Sequence, residues 1–256
     1  EEYEYNREKM KAFADFILNS VHYNMNHLRI DLSPHPFSMY LGKGDNRITM
    51  RFKDDFAKVY SSAMHEYGHA LYGIQSHEDF NYTNIEGGTS LVIHESQSRF
   101  WENFIGKSKS FLASAYGEMK KVNPKLEKYS PDEIYYYINL VRPSLIRTEA
   151  DEVTYHMHIM IRFEIEKALI EGKIQVKDLP RIWDEKYKEY LGIGPKTNKE
   201  GVLQDVHWSG GSIGYFPTYS MGTALSALWK KHIEKDLGKI DELVKTKEGI
   251  GKIQNW

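Results

Sequence analysis

The sequence predicts a mainly α fold with a small antiparallel β-sheet beside one histidine-bearing helix, and three observations carry that expectation. Apolar residues recur at helical spacing over residues 8–26, 55–74, 94–111 and 151–171. The run Phe-Ser-Met-Tyr-Leu, then Gly-Lys-Gly-Asp, then Asn-Arg-Ile-Thr-Met-Arg-Phe reads as a β-hairpin just ahead of the second of those helices. Ser130-Pro131-Asp132-Glu133 unites an N-cap serine, a first-turn proline and the glutamate of a capping box.

Taken in order, residues 8–26 form an amphipathic opening helix, and the hairpin of residues 37–52 follows it. The helix of residues 55–74 carries His65-Glu66-Tyr67-Gly68-His69, and 94–111 supplies a second helix to pack on it. A helix starts at Ser130, and the 151–171 helix stops at Gly172, a residue suited to a C-cap. No repeat, low-complexity tract or linker interrupts the 256 residues, so a single catalytic domain over 1–256 is expected. The opening without an initiator Met and the end at Trp256, inside an amphipathic segment, suggest a fragment of a longer chain.

Composition narrows the chemistry. A net charge of −2 gives no field to gather nucleic acid or an anionic membrane. The uncharged stretch 206–229 is interrupted by glycines, serines and a proline, which disqualifies it as a membrane span. With no cysteine, a metal would have to sit on histidine and carboxylate, and a reducing, cytoplasmic setting is consistent.

His65 and His69 lie one helical turn apart and project from one face, so they can share an ion. Glu66 lies beside that face, placed to act as a base on water rather than as a ligand, as the HExxH arrangement requires. Ala63, Gly68 and Ala70 keep the neighbouring surface small, leaving room for an ion and substrate. A catalytic ion needs a third protein ligand. Tyr72 and Gln75 occupy the positions where one metal-protease class has a glycine and a third histidine, so that class is excluded. Glu95, 26 residues beyond His69, is a third-ligand candidate from the next helix; His94, Glu86 and Glu102 compete with it. His156 and His158 face different ways, His35 lies between prolines, and His22 and His27 are five apart, so these read as packing or turn residues.

These segments, with His35-Pro36-Phe37, Asp45-Asn-Arg-Ile-Thr49, His94-Glu-Ser-Gln97, Ile146-Arg-Thr-Glu-Ala-Asp151, Gly201–Trp208 and Gly214–Gly222, stand in the order of the signature segments of the carboxypeptidase Taq family, which the chain resembles over nearly its whole length. The resemblance implies a helical, gluzincin-like metallopeptidase that releases single C-terminal amino acids with broad tolerance. It implies one zinc or cobalt ion on His65, His69 and Glu95, with Glu66 as general base. It also implies a cytoplasmic homodimer acting on peptides with a free C-terminus, while the charge and the lack of a spanning run lead to the expectation of no nucleic-acid or membrane partner. His207, Tyr215 and Tyr219 have the spacing of the residues that face the metal in related helical gluzincins; an oxyanion role suits Tyr219 and His207, and substrate contact suits Tyr215. Gln204-Asp205 reads either as support for a ligand or as a buried structural pair.

A carboxypeptidase must bind a terminal carboxylate, for which a guanidinium is best suited. Arg47 and Arg99 read as braces of the hairpin and of the Glu95 helix. Arg147, with Glu149 and Asp151 close in sequence to orient it, is the expected carboxylate site, and Arg147→Ala is expected to spare folding. An oligo-endopeptidase or aminopeptidase on the same core, or an inactive helical interaction module, would share much of this pattern.

Overall fold

The computed structural model describes residues 6–21, 27–33, 36–42, 44–51 and 56–256. His22 and His35 lie outside the described residues, as do the predicted end of the first helix and Asp55. By their contacts the residues divide into two compact units, Glu1–Ile138 with Gly222–Trp256, and Asn139–Met221.

The first unit opens with α1 (Arg7–Ser20), whose start is fixed by the Asn6 side chain accepting from Lys9 N at 3.0 Å. Met10, Phe13, Ala14, Ile17 and Leu18 form its buried stripe. Three strands follow: β1 (Leu28–Leu32), β2 (Phe37–Tyr40) and β3 (Asn46–Met50). The β2–β3 hairpin is antiparallel as expected, with Tyr40 opposite Asn46 and Phe37 opposite Thr49. β1 joins the other side of β3 in parallel, so the sheet is mixed, in the order β1-β3-β2.

The long α2 (Phe56–Ile74) packs against α1, β2, β3 and the following helix α3 (Leu91–Arg99). It is therefore covered on several sides, and Val59, Tyr60, Ala63, Met64, Tyr67 and Ala70 join one core. α3 continues into a π-helical turn, Phe100–Gly106. The helix expected over 94–111 breaks at Lys107, and α4 (Lys109–Val122) starts afresh on the Ser108 side chain. The wider π turn uses Lys107 N→Glu102 O at 3.1 Å, a bond one residue longer than an α-helix makes. α5 (Pro131–Ile138) begins with the capping box in both directions: Ser130 N donates to Glu133 Oε2 at 2.8 Å, and Glu133 N to Ser130 Oγ at 3.3 Å.

In the second unit, α6 (Tyr155–Ile170) and α7 (Leu179–Leu191) pack on each other through Ile161, Ile165, Trp183, Tyr187 and Leu191. α6 starts later than expected because Asp151 is spent as a turn acceptor for Val153 N and Thr154 N, each at 2.9 Å. Gly172 follows it at φ 69°, and Gly192 ends α7 at φ 71°, both in the left-handed region where a glycine is at no cost. The uncharged stretch yields α8 (Pro217–Leu237), started by its proline and continuous from the second unit back into the first. Short α9 (Ile240–Leu243) and α10 (Lys247–Asn255) complete the first unit. Among the described residues, no helix is long and apolar enough to cross a membrane.

Candidate metal centre

Helices α2 and α3 bring His65, His69 and Glu95 together, with one donor atom from each lying within 4.8 Å of the others. His69 Nε2 is 3.4 Å from Glu95 Oε2, and His65 Nε2 is 4.0 Å from Glu95 Oε1. Zinc–donor bonds of about 2.0–2.1 Å at a tetrahedral angle separate neighbouring ligand atoms by roughly 3.3–3.4 Å. The donor set, two imidazoles and one carboxylate, therefore fits a small divalent ion in size and chemistry.

The approach of the two helices depends on Gly68. A Cβ built there would lie 2.6 Å from Gln97 O and Ser98 Cα. Gly68 thus makes room for the backbone of α3 rather than for an ion or substrate, which corrects the sequence expectation. Ala63 and Ala70 likewise belong to the core. On the far side of Glu95, a Cβ at Gly222 of α8 would come within 3.0 Å of Glu95 Cβ and Cγ. Gly222 thus lets α8 lie directly against the Glu95 side chain.

The other nitrogen of each histidine is tied back into the protein. His65 Nδ1 donates to Glu102 Oε2 at 2.9 Å, and Ser61 Oγ donates to the other Glu102 oxygen. His69 Nδ1 lies 2.6 Å from His94 Nδ1. With Nε2 of His69 reserved for an ion, its Nδ1 carries the proton and His94 must accept it. Burial and the neighbouring His69 push the His94 pKa down to about 4, which keeps it neutral and able to accept. Thus both histidines present an Nε2 lone pair from a fixed ring.

The electrostatics point the same way. Burial opposes the charged form of His65, yet Glu95, Glu102 and Glu66 outweigh it and raise its pKa. Burial also works against an ionised Glu95, but His65, His69 and Arg99 pull it down to about 2. Glu102 is held well below the carboxylate range, burial being overcome first by Arg99 and then by His65 and Lys107. A concentrated negative site that stays ionised is what a divalent cation requires.

The competitors for the third position have other places. Glu102 supports His65, His94 supports His69, and Glu86 accepts from Tyr40 OH at 2.6 Å and from Tyr82 N. Glu66 is buried on α2 next to His65. Glu102, expected as a competing ligand, stands behind His65 instead, and Ser61, which no sequence motif marks, supports it from one turn earlier on α2.

The second unit gathers the remaining predicted residues. His207 Nε2 and Tyr219 OH are 3.0 Å apart, and the Tyr215 ring lies 5.5 Å from His207 and 5.3 Å from Tyr219. The Arg147 guanidinium carbon sits 5.0 Å from the Tyr219 ring centre. Arg147 is only 5% exposed. Its orienting acid is Asp205, reached through Nε at 2.9 Å and Nη2 at 2.8 Å, rather than Glu149 or Asp151. Nη1 donates to Tyr155 OH at 2.7 Å, and Gln204 Oε1 accepts from Arg147 N at 2.8 Å. Asp205 also binds Arg162 Nε at 2.6 Å, so Gln204 and Asp205, both half-buried, are structural partners of Arg147. Arg47 grips Asp45 with two bonds of 2.8 Å at the start of β3.

Comparison with known proteins supplies the family. The family model of the carboxypeptidase Taq (M32) metallopeptidases matches residues 1–256. A thermostable carboxypeptidase 1 from Pyrococcus furiosus is 47% identical over 100% of this chain and 52% of its own length. Carboxypeptidase 1 of Bacillus subtilis is 42% identical over 98% of this chain and 50% of its own. Among solved structures, a Pyrococcus furiosus carboxypeptidase superposes with a TM-score of 0.94 at 46% identity, covering 100% of this chain and 52% of that one. The M32 carboxypeptidase of Deinococcus radiodurans gives 0.91 at 36% identity, over 99% and 51%. The chain spans about half the length of the curated relatives it matches. With its HExxH helix, a glutamate from the next helix and a match over every residue, this chain belongs to the carboxypeptidase Taq (M32) metallopeptidase family.

Proposed function

We propose that the protein is a metal-dependent carboxypeptidase that hydrolyses the last peptide bond of peptides with a free C-terminus. The observation that supports this most is the pair of histidines whose Nδ1 atoms are engaged behind them and whose Nε2 atoms meet Glu95 in front. His65, His69 and Glu95 would hold the ion, zinc or cobalt. When bound, such an ion supplies a Lewis acid that polarises water and the scissile carbonyl. Glu66 takes the proton from the attacking water and returns it to the departing amine nitrogen. Tyr219, with His207 at its hydroxyl, is assigned to the oxyanion that develops, because a phenol donates without adding a full charge. Tyr215 is assigned to peptide contact.

Arg147 is assigned to the terminal carboxylate. Asp205 is one acid shared by two guanidiniums, so the Arg147–Arg162 pair retains positive charge that a second carboxylate would match. Homodimerisation and a cytoplasmic setting, with no nucleic-acid or membrane partner, belong to the same proposal.

Two measurements on the full-length protein test it. Glu66→Gln should keep the metal content and lower turnover by about 10²–10⁴-fold, since the ligands remain and the base is gone. Loss of the ion in that variant would make Glu66 a ligand instead. Equal cleavage of amidated and free-acid peptides by the unsubstituted protein would replace the carboxypeptidase reading with an endopeptidase one.

A further inference from the structure

We propose that Arg99 is a positioning residue of the metal centre, which holds Glu95 to a single-oxygen contact with the ion and locks that ligand to the carboxylate behind His65. The inference rests on the metal-centre reading above. Arg99 Nε donates to Glu95 Oε1 at 2.9 Å; that oxygen stands 4.0 Å from His65 Nε2, farther than the 3.4 Å between Oε2 and His69 Nε2. The same guanidinium reaches Glu102 Oε2 through Nη1 at 3.4 Å, the oxygen that also receives His65 Nδ1. A chain of contacts therefore runs His65–Glu102–Arg99–Glu95, and its two ends are side chains that would hold the ion.

A carboxylate free on both oxygens can chelate and fill an extra coordination position. With one oxygen held by a charged donor, the other binds alone, and a position stays open for water and substrate. Arginine suits this task because its rigid planar fork spans two acceptors at once, whereas lysine is a point charge. The side chains of Glu95, Arg99 and Glu102 are 3%, 12% and 12% exposed, so solvent screens these contacts little. The spacing is built into the helix: Arg99 follows Glu95 by four residues, and the π turn carries Glu102 onto the same side.

The test uses full-length protein reconstituted with cobalt(II), whose visible absorption is strong for four ligands and weak for five or six. Arg99→Gln should weaken the absorption and speed release of the ion to a chelator by about ten- to a hundredfold. Arg99→Lys should fall between it and the parent, and serves if Arg99→Gln fails to fold by circular dichroism. Glu102→Gln should speed release with the absorption unchanged, because it frees His65 but not the second oxygen of Glu95. A parent-like spectrum and release rate in Arg99→Gln overturn the proposal. Faster release with an unchanged spectrum also overturns it, reducing Arg99 to a bystanding charge. If the parent itself retains no stoichiometric ion, the metal-centre reading falls and this inference with it.

Discussion

Asp205 stands between two guanidiniums in the interior of the second unit, and its neighbours show how a residue there can serve structure and chemistry together. Removing Arg147 would break a buried ion pair, at a cost of about 3–5 kcal/mol for such pairs, moderated because Arg162 still neutralises Asp205. Arg147→Ala is thus predicted to lower the melting temperature as well as free-acid cleavage, contrary to the sequence expectation that folding would be spared. Arg147→Lys keeps the charge and isolates the recognition step by its effect on the Michaelis constant. His158 sits in the same interior, 3.0 Å from Tyr187 OH, and is fully buried. Burial, then Arg162 and Arg147, drive its pKa down to about 3, with Asp205 and Asp151 opposing. The unfolded chain binds a proton near pH 6.5 that the folded one refuses until about pH 3. Stability from this group is therefore complete above pH 6.5 and lost as the pH falls towards 3, at up to about 1.4 kcal/mol per pH unit. Urea unfolding across that range should show a shallower acid loss in His158→Gln; parallel curves for the two proteins would remove His158 from the account.

At the scale of elements, Gly68 decides how close α3 comes to α2. A helix-interior glycine costs about 1 kcal/mol relative to alanine, so its presence calls for a compensating contact. That contact is the backbone of Gln97 and Ser98. Gly68→Ala must push α3 outward against backbone, with an expected loss of about 1–3 kcal/mol and weaker metal retention, because Glu95 rides on the displaced helix. Stoichiometric, tightly held metal in that variant would mean the ligand set tolerates the shift. Elements with local signals were legible in the sequence: the capping box at Ser130, the hairpin around Gly42 and Gly44, and α2 by its periodicity. β1 lacks such a signal: Leu28-Arg-Ile-Asp-Leu32 alternates, but its parallel pairing with β3 has no turn to announce it. The break at Lys107 was missed because a π turn and a fresh Ser108 cap leave the apolar spacing nearly continuous. At the site, the candidate ligands were legible through helical geometry and the resemblance, and the structure brings their donor atoms together. The roles of Glu102 and His94 did not, since the tautomer each supports depends on a contact between helices.

On the scale of the whole molecule, contacts gather the residues into two compact units, and long-range partners such as Arg147 and Asp205, 58 residues apart, have no signature in sequence. The division also separates two kinds of stabilisation. The first unit contains the two histidines and Glu95, so binding an ion adds to its stability by mass action, about 2.7 kcal/mol at a free concentration a hundred times the dissociation constant. The second unit draws on the buried arginine pair and the α6–α7 core, which contain none of those ligands. Stripping the ion with a chelator should therefore accelerate amide hydrogen exchange in α2 and α3, whose packing encloses the ligands. Exchange in α6 and α7 should stay within error of the loaded protein. Equal acceleration in all four helices would show that the units open as one cooperative body. No change anywhere would remove the ion from the stability of the fold and leave His65, His69 and Glu95 as an internally balanced charge cluster.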